Sequence, residues 1–187
     1  MSSLWQNHAR KWSECTDCVL HTTRKHVVLA RGSIPAQILF VGEAPGVSED
    51  VIGQPFCGPA GQLLDRIIEM ADVQLSIAFT NLVACLPLGD DGNKTAEPPA
   101  ASIRACQPRL LEFIRLCNPK LIIAVGGLAA KHLPPSAFII DAESPTRDFV
   151  SILHPAAVLR MDPVQQPLAI KRMVITISDV VSVLQST

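Results

Sequence analysis

Four kinds of side chain in this sequence stand where they could do chemistry. Glu43 lies in Gly42-Glu43-Ala44-Pro45-Gly46, directly after the apolar run Ile38-Leu39-Phe40-Val41, and a carboxylate on a Gly/Pro loop at the end of a buried strand is available to orient or deprotonate water. Asn81 falls inside the apolar segment Ile77 to Val83. An amide is unfavourable in a strand unless something uses its paired donor and acceptor. His154 follows the apolar segment Phe149 to Leu153 and precedes Pro155; a lone histidine is usually structural, but this one stands at a strand's end, where open α/β sheets hold ligands. The fourth kind is cysteine: Cys15-Thr16-Asp17-Cys18 is a CxxC pair, Cys85 closes an apolar segment and Cys106 opens a helical pattern. Six cysteines in a chain without an export signal read as reduced thiols or ligands rather than disulfides. Four thiolates satisfy tetrahedral zinc and a cubane iron-sulfur cluster equally well, so donor type alone leaves the metal open.

The elements that must position these residues follow from periodicity. Trp5, Ala9 and Trp12 share one face of a short N-terminal helix, and Leu63, Leu64, Ile67, Ile68 and Ala71 share one face of a longer helix after the first loop. Leu110, Leu111, Ile114 and Cys117 make a third helical stripe, which assigns Cys117 to the core. Strands are expected at Ile38 to Val41, Ile77 to Val83, Lys120 to Gly126 and Phe149 to Leu153, with a short helix from Gly127 to Leu133 and a last helix from Ile170 to Leu184. Leu86 to Ala101 is rich in Gly, Pro and Asp and reads as a surface loop. This alternation predicts one α/β domain over residues 1–187, with a mostly parallel central sheet of about four strands and helices on both faces.

Composition narrows the function classes. At 187 residues and 48% hydrophobic content the chain can bury one good core. Its longest largely apolar segment, residues 121–130, is too short to cross a bilayer, and its start lacks a signal-peptide core, so a cytoplasmic protein is expected. The net charge of −1 excludes a broadly basic nucleic-acid binder, and DNA binding would need a local basic face drawn from Arg24, Lys25, Arg31, Arg147, Arg160, Lys171 and Arg172. No phosphate-loop lysine follows the first glycines, which argues against a nucleotide triphosphatase.

The stretch GEAPGVSEDVIGQPFCGPAGQLLD resembles the first motif of the family-4 uracil-DNA glycosylases, close to GEAPGxxED and then GxPFVGxAGxLLD. Glu43, Glu49, Asp50, Pro55, Phe56, Gly58, Gly61 and Asp65 fall on it, while Cys57 stands where the family has Val. TNLVAC resembles the family's TNxxxC segment and HPAAVLR its second motif, HPAxLLR. The resemblance implies that Cys15, Cys18, Cys85 and Cys106 hold a [4Fe-4S] cluster, that Asn81 reads the base, and that Phe56 stacks on it beside Gly42 and Ala44. It also implies that His154 donates to uracil O2, that Glu43 orients the water, and that Leu159 and Arg160 fill the gap left by a flipped nucleotide. Ala44 occupies the position where other branches of the superfamily carry Asp, which leaves Glu43 the nearest carboxylate.

The implied activity is excision of uracil from single- or double-stranded DNA in base excision repair, by a monomer. A covalent histidine chemistry found in some relatives is not expected, because no histidine lies between His26 and His132. A zinc-dependent deaminase lacks its HxE and PCxxC signature here. An electron-transfer protein would use the cysteines but not Phe56, Asn81 and His154. A superfamily member that binds DNA without catalysis, or excises another modified base, is the alternative that Cys57 and the long loop at 86–101 favour.

Overall fold

A computed structural model describes residues 3–89, 95–139 and 147–185. In chain order its elements are α1 (Ser3–Trp12), β1 (Arg31–Gly32), β2 (Ile38–Gly42), α2 (Val47–Ile52), α3 (Pro59–Met70), β3 (Ile77–Asn81), α4 (Ala100–Cys117), β4 (Leu121–Val125), α5 (Gly127–His132), β5 (Asp148–Ile152), α6 (Pro155–Leu159) and α7 (Gln166–Gln185). The strands form one five-stranded sheet in the order β1-β3-β2-β4-β5. All pairings are parallel except that of β1, which lies antiparallel on the outer edge of β3. The expected α/β fold is therefore present with one strand more than the expected four; β1 has only two residues, too few to carry an alternation.

The central strands β2 and β4 are buried throughout because helices cover both faces, the reason a parallel strand reads as a continuous apolar run. Successive side chains alternate between those faces. Ile38, Phe40, Ile123 and Val125 meet Leu64 and Ile67 of α3 and Met173 and Ile177 of α7. Leu39, Val41, Ile122 and Ala124 meet Leu110, Phe113 and Ile114 of α4 and Ala129 of α5. Cys117 is fully buried in the second layer, as its position on the stripe implies.

Several boundaries differ from expectation. The second strand ends at Asn81, not Val83, since the backbone bends once its neighbour β2 has ended at Gly42. Helix α4 begins at Ala100, so Cys106 sits in its second turn and does not open it; the start is signalled by Pro98-Pro99, which suits the positions just before a helix. Within the loop expected at residues 86–101, Leu86 and Pro87 are buried and Leu88 bridges Thr95, while residues 90–94 lie outside the described ones.

The chain progresses from β2 to β3 on one side and then returns across β2 to β4 on the other. A crevice opens beyond the carboxyl ends of parallel strands where the direction of progress reverses, and ligands bind there in open α/β sheets.

Candidate active site

A cleft of about 390 Å³ lies beyond those strand ends. Its walls bring together Glu43, Ala44, Pro45 and Glu49 from the loop and helix after β2, Phe56 from the next turn, Gly61 from the start of α3, Asn81 from the end of β3, and His154 and Arg160 from the segment after β5. Residues separated by more than a hundred positions thus converge because each follows or ends a parallel strand.

Register sets the centre of the site. Gly42 pairs with Asn81 across β2 and β3, and a Cβ at residue 42 would come within 2.4 Å of Asn81 Oδ1 and 2.6 Å of the Phe56 ring. Glycine is required there so that the amide and the ring can stand side by side. Asn81 is only 3% exposed. Phe56 adopts a left-handed backbone (φ 55°), an uncommon state for a bulky residue that is held by its surroundings. The start of α3 presses on it so closely that a Cβ at Gly61 would lie 1.8 Å from the Phe56 carbonyl oxygen.

The carboxylates of the first motif divide into two groups. Glu49 Oε2 accepts from Gly46 N–H at 3.1 Å and Oε1 from Gly58 N–H at 2.7 Å, fastening the two arms of the loop around Phe56. Asp50 is buried and accepts from the backbone N–H groups of Lys25 and His26, tying the N-terminal segment to α2. Asp65 pairs with Arg31 at 2.6 Å, and that guanidinium also lies over the Phe79 ring and donates to Pro55 O. These three hold the loop. Glu43 is the motif carboxylate left facing the cleft without such a task, and burial, with Glu97 adding like charge, pushes its carboxyl above the usual range.

His154 is the N-cap of α6, and its Nδ1 accepts from Ala156 N–H at 3.1 Å. A ring that accepts at Nδ1 carries its proton on Nε2 when neutral, so the free nitrogen is a donor. Burial and then Arg160 hold the ring below the usual imidazole value, with Glu49 opposing them. It is therefore a neutral N–H donor at neutral pH. Gly126 (φ 97°) leaves it room: a Cβ there would stand 3.1 Å from that of His154.

At the rim, Arg160 lines the cleft, whereas Leu159 is 41% exposed and is not part of its lining. Three of the seven cations expected to form a basic face are committed elsewhere. Arg147 is buried and donates to the carbonyls of Pro119, Ala137 and Ile139, so it cannot meet DNA; Arg31 is paired with Asp65, and Arg24 donates to Cys85 Sγ. Lys25, Arg160, Lys171 and Arg172 remain exposed. Cys57 lies outside the cleft lining, but Thr95, Ala96 and Glu97 of the long loop form one wall. Nothing in the spacing of that loop pointed to Glu97.

Cys15, Cys18, Cys85 and Cys106, a ladder of thiols along the chain, occupy one neighbourhood. Cys18, Cys85 and Cys106 pack together around Leu20, Val83 and Ile103, and Cys15 and Cys106 around Trp12, Leu29 and Ala84. All four are free thiols. Glu112 brings α1 to α4 by accepting from His8 Nδ1 at 3.1 Å, Lys11 Nζ at 2.6 Å and Trp12 Nε1 at 3.2 Å. Burial pushes the Glu112 carboxyl up, yet these donors outweigh it and hold it low. Burial pushes the Cys85 thiol up to about 11 against the pull of Arg24. Among the described residues no three His, Cys, Asp or Glu side chains are arranged as a metal-ion site. The residues fit a thiolate-held group in donor chemistry and neighbourhood: two of the sulfurs, on Cys85 and Cys106, accept guanidinium N–H bonds, as anionic sulfur does. Among the described residues no helix is long and apolar enough to cross a membrane.

Residues 29–175 match the model of the uracil DNA glycosylase superfamily. The chain is 41% identical over 120 residues to a type-4 uracil-DNA glycosylase of Pyrobaculum aerophilum, covering 64% of this chain and 59% of that protein. It is 38% identical over 117 residues to a type-4 uracil-DNA glycosylase of Thermotoga maritima (62% and 58% covered) and 28% identical over 165 residues to one of Archaeoglobus fulgidus (80% of each). The matched stretch thus spans less than two thirds of the first two relatives' length.

Proposed function

The chain belongs to the uracil-DNA glycosylase superfamily, and we propose that it flips uracil out of DNA and hydrolyses the N-glycosidic bond, leaving an abasic site. The observation that carries this reading is the convergence of a buried carboxamide, an aromatic ring, a neutral imidazole donor and a carboxylate in one cleft. Uracil presents an N3–H donor beside an O4 acceptor, and the Asn81 amide offers the complementary pair in one plane. Cytosine reverses both groups and would leave buried polar atoms unpaired, at about 1–3 kcal/mol each. Phe56 provides the stacking face, worth about 1–3 kcal/mol per base.

In the bond-breaking step the C1′–N1 electron pair passes to the base, giving an oxocarbenium-like sugar and a uracil anion. His154 Nε2–H donates to O2 and stabilises that charge as it develops. Water adds to C1′ and gives its proton to Glu43, so the products are an abasic sugar bearing a hydroxyl and free uracil once the anion is protonated. Arg160 at the rim meets backbone phosphate, with exposed Leu159 filling the vacated stack. We assign Cys15, Cys18, Cys85 and Cys106 as ligands of a [4Fe-4S] cluster, which when bound cross-links the N-terminal segment to α4 and to the exit of β3. A cytoplasmic, monomeric repair enzyme acting on single- or double-stranded DNA is consistent with these features.

Single-turnover assays on oligonucleotides carrying uracil, other modified bases or none decide the matter. Abasic-site formation at uracil supports the reading, and cleavage confined to another base transfers the specificity to the wall formed by Thr95, Ala96 and Glu97. Binding without cleavage of any substrate rejects the catalytic roles given to Glu43 and His154.

A further inference from the structure

We propose that Arg109 is a positioning residue that couples the cysteine ladder to the base-reading end of β3; this rests on the roles assigned above to Asn81 and to the four cysteines. Arg109 is 1% exposed, and its side chain runs from Cys106 to the backbone at the end of β3. Its Nε–H donates to Cys106 Sγ at 3.3 Å, its Nη1 to Thr80 Oγ1 at 3.1 Å, and its Nη2 to the carbonyl oxygens of Asn81 and of Leu82, the latter at 3.1 Å. Thr80 in turn donates to Leu29 O at 2.7 Å. These acceptors are a sulfur, a hydroxyl and two carbonyls, and among the described residues Arg109 has no carboxylate partner.

A buried guanidinium is costly unless its protons are satisfied and negative charge stands nearby. A ligand thiolate at Cys106 supplies that charge. The planar fork then fixes three points on β3 and its exit relative to one sulfur, which a flexible ammonium could not do. Asn81 sits at the last residue of its strand, where the ladder of β2 hydrogen bonds ends; beyond it Leu82 N–H and Val83 N–H reach only the carbonyls of Gly42 and Glu43. Arg109 holds this short stretch from the opposite side. The orientation of the Asn81 amide, and so the discrimination between uracil and cytosine, depends on it. Ala44, which lines the cleft, also packs against the ladder cluster. The two sites are adjacent, not independent.

The test uses full-length protein purified anaerobically, with Arg109→Met and Arg109→Lys compared with the parent in three measurements. Hydrogen exchange of the segment 80–85 reports how firmly the strand exit is held, the cluster's midpoint potential reports the sulfur contact, and single-turnover excision reports the pocket. In Arg109→Met, exchange at Leu82 and Val83 should quicken and uracil excision should fall at least about tenfold relative to parent, the loss expected for misplacing one buried hydrogen-bonding group. The potential should move to more negative values, because a cation and a hydrogen bond to a ligand sulfur have gone. Arg109→Lys should restore part of the potential, since it keeps the charge, but not the exchange protection, since it lacks the fork. If Arg109→Met is insoluble, Arg109→Lys is read against the parent by the same criteria. Altered exchange with an unchanged potential overturns the coupling, as does a shifted potential with unchanged exchange, and a parent without a cluster overturns it outright. A parent that carries the cluster but leaves uracil intact rejects the proposed function, while exchange and potential still decide the role of Arg109.

Discussion

The cleft and the cysteine ladder are built by opposite means. In the cleft, polar side chains stand at the ends of adjacent parallel strands, and local backbone contacts orient them: the Ala156 N–H fixes the His154 tautomer, Gly42 admits Asn81 beside Phe56, and Glu49 staples the loop. The ladder instead draws its sulfurs from the N-terminal segment, the exit of β3 and the second turn of α4. Long-range side-chain contacts, chiefly those to Glu112 and Asp50, assemble it. A site set by register survives local perturbation of distant segments; a site set by side-chain clamps does not. Changes in the cleft should therefore alter rate and selectivity while the proposed cluster persists, and changes to the Glu112 clamp should act in the reverse order, whereas Arg109 touches both regions.

The sharpest break is His154→Ala. Removing a preorganised donor to a developing anion costs about 10²–10³ in rate, and single-turnover excision should fall by roughly that factor while DNA affinity and cluster absorption stay at parental levels. Parental excision by this variant removes His154 from the mechanism.

Asn81→Asp comes next, with a fall of at least about tenfold in uracil excision, about 1.4 kcal/mol for one buried hydrogen bond. The new oxygen would face uracil O4, acceptor against acceptor, whereas cytosine would place its amino donor there, so slow cytosine excision should emerge. An unchanged uracil-to-cytosine ratio would mean that this amide does not read the base.

On the ladder side, Glu112→Ala deletes three acceptor contacts between α1 and α4. A loss of about 1–3 kcal/mol is expected, since buried donors are left unpaired, and it is readable as a lower thermal midpoint with faster bleaching of the cluster. Discrimination between uracil and cytosine by the surviving protein should hold, and its collapse alongside stability would erase the contrast between the two regions.

The smallest effect belongs to Glu97→Gln. In its proposed role Glu43 must be ionised to accept a proton, and because burial raises its value, activity should fall as pH drops through it. Removing the like charge of Glu97 lowers that value, so the acid limb of the single-turnover profile should move to lower pH; burial, the larger cause, stays in place. An acid limb that does not move would separate Glu97 from Glu43.

Much of the cleft was legible in the sequence because its chemistry lies in short, nearly contiguous stretches bounded by glycine and proline. Apolar runs and their punctuation put Glu43 and His154 at element ends and Asn81 inside a strand, the family resemblance pointed to Phe56, and the structure brings these four to one cavity. Alternating apolar segments likewise announced the parallel core, whose two-sided burial makes continuous runs unavoidable. Distance along the chain hid the rest. Arg147 resembled surface charge until its carbonyl partners were seen, and Glu97 reached the cleft only through the path of the loop after β3. Arg109 did leave a trace, since it is spaced four residues before Phe113 and eight before Cys117 on the buried stripe of α4. A cation on an apolar face announces a buried partner without naming it. Local composition and periodicity determined the strands, the loop chemistry and the set of thiols, because those depend on neighbours in sequence. Which thiols share a neighbourhood, which cations are free to meet DNA, and how one guanidinium links Cys106 to Asn81 were decided by tertiary packing, because hydrogen bonds between distant segments exist only after the sheet has fixed their separation.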